Sequence, residues 1–121
     1  MYCTVEDIQK ELSNASPKKL GYKDKPEEYQ ELMNEWIKQS ESLINSYCRK
    51  TWEDEIPDAV KNVCLRLISN MIEFYNIRKD TPIINPEDFT IKNSSSEIFT
   101  QDLKNDLKPF RKTKKISVFN I

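Results

Sequence analysis

Two long apolar-periodic segments, joined by a short connection, constrain the fold of this chain more than any other feature. The first begins at Pro26, and its apolar residues recur at steps of three and four as far as Cys48, which is the spacing of one face of an α-helix. The second follows Pro57 and continues in the same way to Tyr75. The pattern predicts two long helices with a tight connection over residues 51–56.

The second of these helices is apolar around most of its circumference. Its polar residues fall on one narrow strip, made up of Asn62, Arg66, Ser69, Asn70 and Glu73. A helix that is apolar on so many sides has to be covered by several neighbours. We therefore expect it to be the central helix of the domain.

Shorter signals predict a first helix and a loop before the long pair. Thr4 followed by Asp7 matches a variant of the capping box, and apolar residues at helical spacing then predict a helix over 5–12. Residues 13–25 combine turn-forming residues with four lysines, which is typical of a basic loop. Two apolar side chains are placed to anchor this loop to the body, Leu20 and Tyr22.

The pattern weakens after the long pair. Alternation over residues 89–99, interrupted by serines, predicts a short β-hairpin, and Thr100 is placed to cap a fourth helix that ends near Pro109. The expected fold is mostly α, a small bundle of about four helices with that hairpin. We expect a single domain with a body over 1–112 and an extended C-terminal tail over 113–121.

The composition argues against an enzyme or a metalloprotein. The chain has no histidine, which removes the most common general base and nitrogen ligand, and its only glycine, Gly21, cannot build a phosphate-binding loop. The carboxylates of Glu53, Asp54, Glu55 and Asp58 match no calcium loop and suit the start of the following helix instead. We expect no catalysis, no cofactor and no metal ion.

Charge, hydropathy and cysteine content give further bounds. The net charge is only −1, so no global field attracts nucleic acid or anionic membranes. The apolar runs are shorter than the roughly 20 residues of a membrane span, and no secretory signal is seen. Cys3, Cys48 and Cys64 are an odd set without paired spacing. We expect a soluble intracellular protein without membrane contact, in which Cys48 and Cys64 are reduced and act as small apolar residues.

The basic and apolar end of the chain is the best candidate for an interaction surface. We assign to it Phe110, Arg111, Lys112, Lys114, Lys115, Ile116, Val118 and Phe119. An apolar strand-like end pairs with a sheet edge or a groove, and both its own domain and a partner remain open as the site. The cations would contact phosphates or an acidic protein, or remain solvated and balance the acidic body.

Several segments together resemble a known family. They are YCTVEDI at 2–8, SLINSYCRKTW at 42–52, IPDAVKNVCLRL at 56–67, DL at 102–103 and LKPFRK at 107–112. In this order and spacing they resemble the small head-tail connector, or adaptor, proteins of long-tailed bacteriophages. The chain departs from the family at Arg49, where a turn glycine is usual, and over the divergent 89–99 segment.

The resemblance implies a non-enzymatic virion protein that forms a homo-oligomeric ring at the head-tail junction after synthesis in the host cytoplasm. Its implied partners are copies of itself, the portal protein, and a downstream stopper or tail-completion protein, with DNA passing through the lumen without sequence-specific contact. The residues alone leave a second function open. A small helical regulatory protein would bind DNA or an acidic protein through the basic loop and the tail.

Overall fold

The fold is a small all-helical bundle, as the sequence predicts. The computed structural model describes residues 1–78 and 98–112, and within these two ranges there is no strand. The helices are α1 (Val5–Glu11), α2 (Pro26–Cys48), α3 (Asp58–Arg78) and α4 (Gln101–Leu107), with a 3₁₀ turn over Lys108–Phe110. Most of the hairpin predicted over 89–99 lies outside the described residues, and Ile98, which is described, is helical.

The capping box predicted at the start of α1 is present. The backbone N–H of Asp7 donates to Thr4 Oγ1 over 3.1 Å, and the backbone N–H of Thr4 donates to Asp7 Oδ2 over 3.0 Å. Each side chain thereby satisfies a backbone donor that the helix itself leaves free. The hydrogen bond from Thr4 lowers the pKa of the Asp7 carboxyl below its usual value.

Acidification is expected to weaken this cap. Because the pKa of Asp7 is lower in the folded state, its charged form contributes stability that is present above about pH 5 and is lost as the pH falls through the folded-state pKa. The partly exposed site limits this contribution to less than about 1 kcal/mol. Denaturant titrations at neutral and acid pH should show that acid lowers the free energy of unfolding less for Asp7→Asn than for the wild type. Glu6→Gln changes a residue outside the box on the same turn, and acid should lower its free energy of unfolding as much as that of the wild type.

The basic loop between α1 and α2 is anchored as predicted. Leu20 is buried, Tyr22 is half-buried against the core, and Ala15 is fully buried. The hydroxyl of Tyr29 in α2 donates to the carbonyl oxygen of Ala15 over 2.5 Å. Gly21 has φ of 83°, a conformation that glycine adopts without steric cost. The loop is therefore held to the body through its apolar side chains and through one buried hydrogen bond.

The helix α3 is the central element, as predicted from the apolar residues around most of its circumference. It packs against α1, α2 and α4. Its fully buried side chains are Val60, Val63, Cys64, Leu67, Ile68, Met71 and Ile72. Two apolar residues that lie off this stripe, Leu65 and Phe74, are half-buried. The apolar sides of α3 are thus covered largely by helices of its own chain.

Helix α2, the other long helix, begins and ends close to the predicted residues. Pro26 occupies the start of α2, where its missing N–H costs nothing. Trp36 and Met33 are fully buried, and Ser40 fills a buried position in the same stripe. The edge of the Trp36 ring meets Tyr75 of α3 at a centroid distance of 5.9 Å. Buried aromatic and aliphatic contacts therefore join the two long helices.

Polar contacts hold α4 and the segment before it on α3. Arg66 Nη2 lies 3.1 Å from Asp102 Oδ2, and Arg66 Nη1 lies 2.5 Å from Asp106 Oδ2. The side chain of Asn70 donates to the carbonyl oxygen of Ile98 over 2.9 Å. Because the ion pairs are partly exposed, they orient α4 more than they stabilise it. The stabilising contact is apolar, since the helix buries its residues Leu103 and Leu107.

The prediction that Thr100 caps α4 is right in position and wrong in detail. Thr100 is the residue before the first turn and has an extended backbone, but its side chain makes no hydrogen bond to the helix backbone. Its hydroxyl donates instead to the carboxylate of Asp102. This bond is the main reason that the pKa of Asp102 lies below its usual value. A hydrogen bond to a carboxylate is charge-assisted, so it fixes the Thr100 side chain in this orientation, in which the hydroxyl oxygen accepts no backbone N–H.

The three cysteines are free and buried. The predicted packing role of Cys48 and Cys64 is confirmed, because both side chains are fully buried in the apolar core. Cys3, ahead of α1, is also buried. Separately, none of the helices in the described part of the chain has the length and hydropathy needed to cross a bilayer.

Candidate interaction surface at the end of α2

The last turn of α2 ends on a residue in the left-handed conformation. Arg49 has φ of 59° and ψ of 35°, and its backbone N–H donates to the carbonyl oxygen of Asn45 over 2.7 Å. Glycine is the usual residue here because a Cβ is strained at positive φ. Helix α2 therefore ends on an arginine at a position whose backbone conformation suits glycine.

Replacing Arg49 with glycine is expected to stabilise the protein. The substitution removes the strain of a left-handed non-glycine residue, while the arginine side chain is exposed, so the gain is about 1 kcal/mol. Chemical denaturation should show a higher midpoint for Arg49→Gly than for the wild type. Ser46→Gly, an exposed change inside α2, should instead lower the midpoint, since glycine is unfavourable in a helix interior. A lower midpoint for Arg49→Gly would mean that contacts of the arginine side chain stabilise the fold by more than the strain of its left-handed backbone destabilises it.

The segment after α4 returns to this end of α2 and satisfies its free carbonyl groups. The backbone N–H of Lys112 donates to the carbonyl oxygen of Cys48 over 2.8 Å, and Arg111 Nε donates to the carbonyl oxygen of Tyr47 over 3.0 Å. Carbonyl groups in the last turn of a helix have no partner within the helix, and a cation is favourable beside them. The Arg111 guanidinium also lies 4.7 Å from the centroid of the Tyr47 ring. Residues 111 and 112 are thereby fixed on α2.

A row of aromatic rings lies beside this contact. Trp52 meets Tyr2 edge to face at 5.9 Å on one side and Phe110 at 6.3 Å on the other. The backbone N–H of Trp52 donates to the Tyr2 hydroxyl over 3.2 Å, and that hydroxyl donates to the side chain of Asn45. Burial raises the pKa of the Tyr2 hydroxyl. The row joins the segment before α1, the connection after α2 and the 3₁₀ turn.

A cation lies over one ring of this row. Lys50 Nζ is 4.9 Å from the centroid of Trp52. We define the α2-end surface as Tyr47, Lys50, Trp52, Phe110, Arg111 and Lys112. Its three aromatic residues are half-buried and its three cations are exposed. A surface of this kind offers apolar contact area and positive charge together, which favours an acidic protein or peptide as its ligand.

Only part of the predicted interaction surface can be located. Phe110, Arg111 and Lys112 lie on the α2-end surface and contact their own domain, whereas the other predicted residues, Lys114, Lys115, Ile116, Val118 and Phe119, lie outside the described residues. The sequence prediction missed three residues of this surface, Tyr47, Lys50 and Trp52, and it also missed Tyr2, whose ring contacts Trp52. No local signal marks Tyr2, because its hydrogen bonds are with residues 39 to 50 positions away. Tyr75, at the end of the second periodic segment, packs on Trp36 in the core.

Carboxylates do not converge on a cation site in the part of the chain that is described. Within residues 1–78 and 98–112 no group of three or more His, Cys, Asp or Glu side chains is arranged to hold a metal ion. Glu53, Asp54 and Glu55 are exposed, and Asp58 lies in the first turn of α3, where negative charge is favourable.

Comparison with known proteins gives no relative: no family model, no curated protein and no solved structure matches the chain.

Proposed function

We propose that this protein is a non-enzymatic subunit of a phage head-tail connector. In this role copies of the chain form a ring that links the portal protein to the next connector or to the tail. DNA passes through the lumen of the ring and is not read by sequence. The protein is made in the host cytoplasm and ends in the virion at the head-tail junction.

The convergence of the family-like segments is the observation that carries this proposal. Three of the five segments that resemble connector proteins, 2–8, 42–52 and 107–112, are far apart in sequence, yet they meet at one end of the bundle. Tyr2 contacts Asn45 and Trp52, Phe110 contacts Trp52, and Arg111 contacts Tyr47. Residues that share one surface can act as a unit, whereas isolated matches along a chain need no common role. This convergence supports a common role for these three segments at the α2-end surface.

Charge distribution supports a contact between different faces of neighbouring subunits. The first half of α2 exposes Glu27, Glu28, Glu31 and Glu35, and no basic residue interrupts them. The α2-end surface exposes cations instead. An acidic face on one copy and a basic face on the next are complementary, and contacts between unlike faces close into rings.

The test is assembly with the portal protein encoded nearest to its gene. Mixing the two proteins should give a stoichiometric ring on the portal, seen by electron microscopy, and a defined mass in light scattering. Lys112→Glu is the sharpest variant, because Lys112 contributes its backbone N–H to the fold while its side chain is exposed. It should weaken portal or subunit binding by about tenfold.

Lys10→Glu provides the matched control. It makes the same charge change at an exposed position of α1, outside both the α2-end surface and the acidic face of α2, and should leave binding unchanged. Equal circular dichroism spectra for both variants would exclude misfolding as the cause. A protein that stays monomeric and ignores the portal, or a Lys10→Glu variant that loses as much binding as Lys112→Glu, would contradict the proposal.

The alternative of a DNA-binding regulator finds less support in the geometry. The exposed lysines of the loop, such as Lys23 and Lys25, precede the first turn of α2, whereas Arg111 and Lys112 contact its last turn. A helix of 23 residues is about 33 Å long, so these two basic groups do not form one patch. Affinity for duplex DNA that falls steeply with salt would restore this alternative.

A further inference from the structure

Two cysteines from distant parts of the chain meet in the core. The Sγ atoms of Cys3 and Cys64 lie 3.4 Å apart, although the residues are 61 positions apart in sequence. Both side chains are buried, with exposed fractions of 1% and 0%. Cys48, the third cysteine, has no cysteine partner in the described part of the chain. The contact therefore belongs to one specific pair.

The surrounding contacts hold Cys3 against α3. The neighbouring residue Tyr2 donates its backbone N–H to Glu41 Oε2 over 2.6 Å and its hydroxyl to Asn45, both in α2. Thr4, on the other side, belongs to the capping box of α1. Cys3 is thus fixed on both flanks, and these contacts position its thiol on the second turn of α3.

Cys64 rests as the neutral thiol. The hydrogen bond with Cys3, and then burial, raise the pKa of the Cys64 thiol. A thiolate is the form that reacts with disulfides, so Cys64 is unreactive in the closed structure, and burial keeps reagents away from both sulfurs. Cys3 lies outside any helix, whereas Cys64 is within the central helix, so opening of the segment before α1 exposes Cys3 at a smaller cost than exposing Cys64.

We propose that Cys3 and Cys64 form an oxidisable dithiol, a modification site that reacts with low-molecular-weight disulfides such as oxidised glutathione and closes to an intramolecular disulfide. A bond of about 2 Å between the sulfurs requires only a small approach of the two side chains from their present contact. The product would covalently join the segment before α1 to the second turn of α3. This site is independent of ring assembly.

The chemistry proceeds by two thiol–disulfide exchanges. The Cys3 thiolate, exposed by opening, attacks one sulfur of the small disulfide, forms a mixed disulfide and releases one glutathione thiolate. On reclosing, the Cys64 sulfur gives up its proton to solvent or to the leaving thiolate and attacks the Cys3 sulfur. This step releases the second glutathione. The protein loses two hydrogen atoms and two electrons, and the small disulfide is reduced to two thiols.

The reaction is tested on the full-length reduced protein with oxidised glutathione as the reagent. Intact-mass measurement should show the loss of two hydrogen atoms in the wild type, and non-reducing peptide mapping should join the Cys3 and Cys64 peptides. Cys48→Ser should behave in the same way. Cys64→Ser should retain one glutathione on Cys3, because no second thiol is near enough to displace it.

The bond should also change stability. Closing a loop of this length restricts the unfolded chain, so the oxidised wild type should melt about 10 °C higher, and a dithiol reductant should reverse the change. A persistent glutathione adduct on the wild type, a bond that includes Cys48, disulfide-linked dimers, or no reaction would each overturn the proposal. The wild-type peptide map alone decides the outcome if a serine variant does not fold.

Discussion

Replacing Trp36 with alanine is expected to lower the free energy of unfolding by about 3–5 kcal/mol. The Trp36 side chain is fully buried in α2, and its ring edge packs on Tyr75 of α3. Removal of the ring forfeits its burial and leaves a cavity that the two long helices can only partly close. Small domains have about 5–15 kcal/mol of stability in all, so the loss is a large share. Denaturant unfolding followed by far-ultraviolet circular dichroism measures it.

Trp52→Ala is the matched control for this substitution. Trp52 is the only other tryptophan, and it is half-buried in the aromatic row at the end of α2. The Trp52 side chain buries less area than that of Trp36, and water can fill the site once the ring is removed. The expected loss in the free energy of unfolding is therefore about 1–2 kcal/mol. Equal losses for the two variants would show that Trp36 does not occupy the core position described above.

A proline at Ser69 is expected to destabilise the fold by about 3 kcal/mol or more. Ser69 lies in the interior of α3, where proline removes the hydrogen bond from its own N–H to the carbonyl oxygen of Leu65 and its ring clashes with that carbonyl. The resulting kink would disturb three interfaces at once, because α1, α2 and α4 all pack on α3. Loss of helical signal and a shallow or absent unfolding transition are the expected readouts.

Ser69→Ala separates the backbone effect from the loss of the side chain. Alanine preserves the helix and is the best helix former, so this variant should unfold within about 0.5 kcal/mol of the wild type. A Ser69→Pro protein with a cooperative transition near that of the wild type would mean that α3 tolerates a kink. In that case α3 is not the element on which the other helices depend.

Local patterns predicted the helices well because they depend on residues close in sequence. The three-and-four spacing after Pro26 and after Pro57 located α2 and α3, and the Thr4 and Asp7 pair located the start of α1. The narrow polar strip of α3 also predicted its central position. Each of these features follows from the helical repeat or from a cap, both of which are set within a few residues.

Other features could not be found in this way. Ile98 is helical where the local spacing predicts the end of a hairpin, because the contacts of this segment with α3 and with Tyr47 decide its conformation. The hydroxyl of Thr100 donates to Asp102 and accepts no hydrogen bond from the helix backbone. Tertiary contacts and competing polar partners outweigh the local preference in both cases.

The sequence by itself determined which residues are helical and which face of each helix is apolar, and it excluded a histidine-based catalytic site. The tertiary structure alone decided which distant residues meet. It placed Arg111 on the last turn of α2, Tyr2 beside Trp52, and Cys3 against Cys64. The physical reason is that helical periodicity records only the direction of the core, whereas the partner across the core depends on how all the helices pack together.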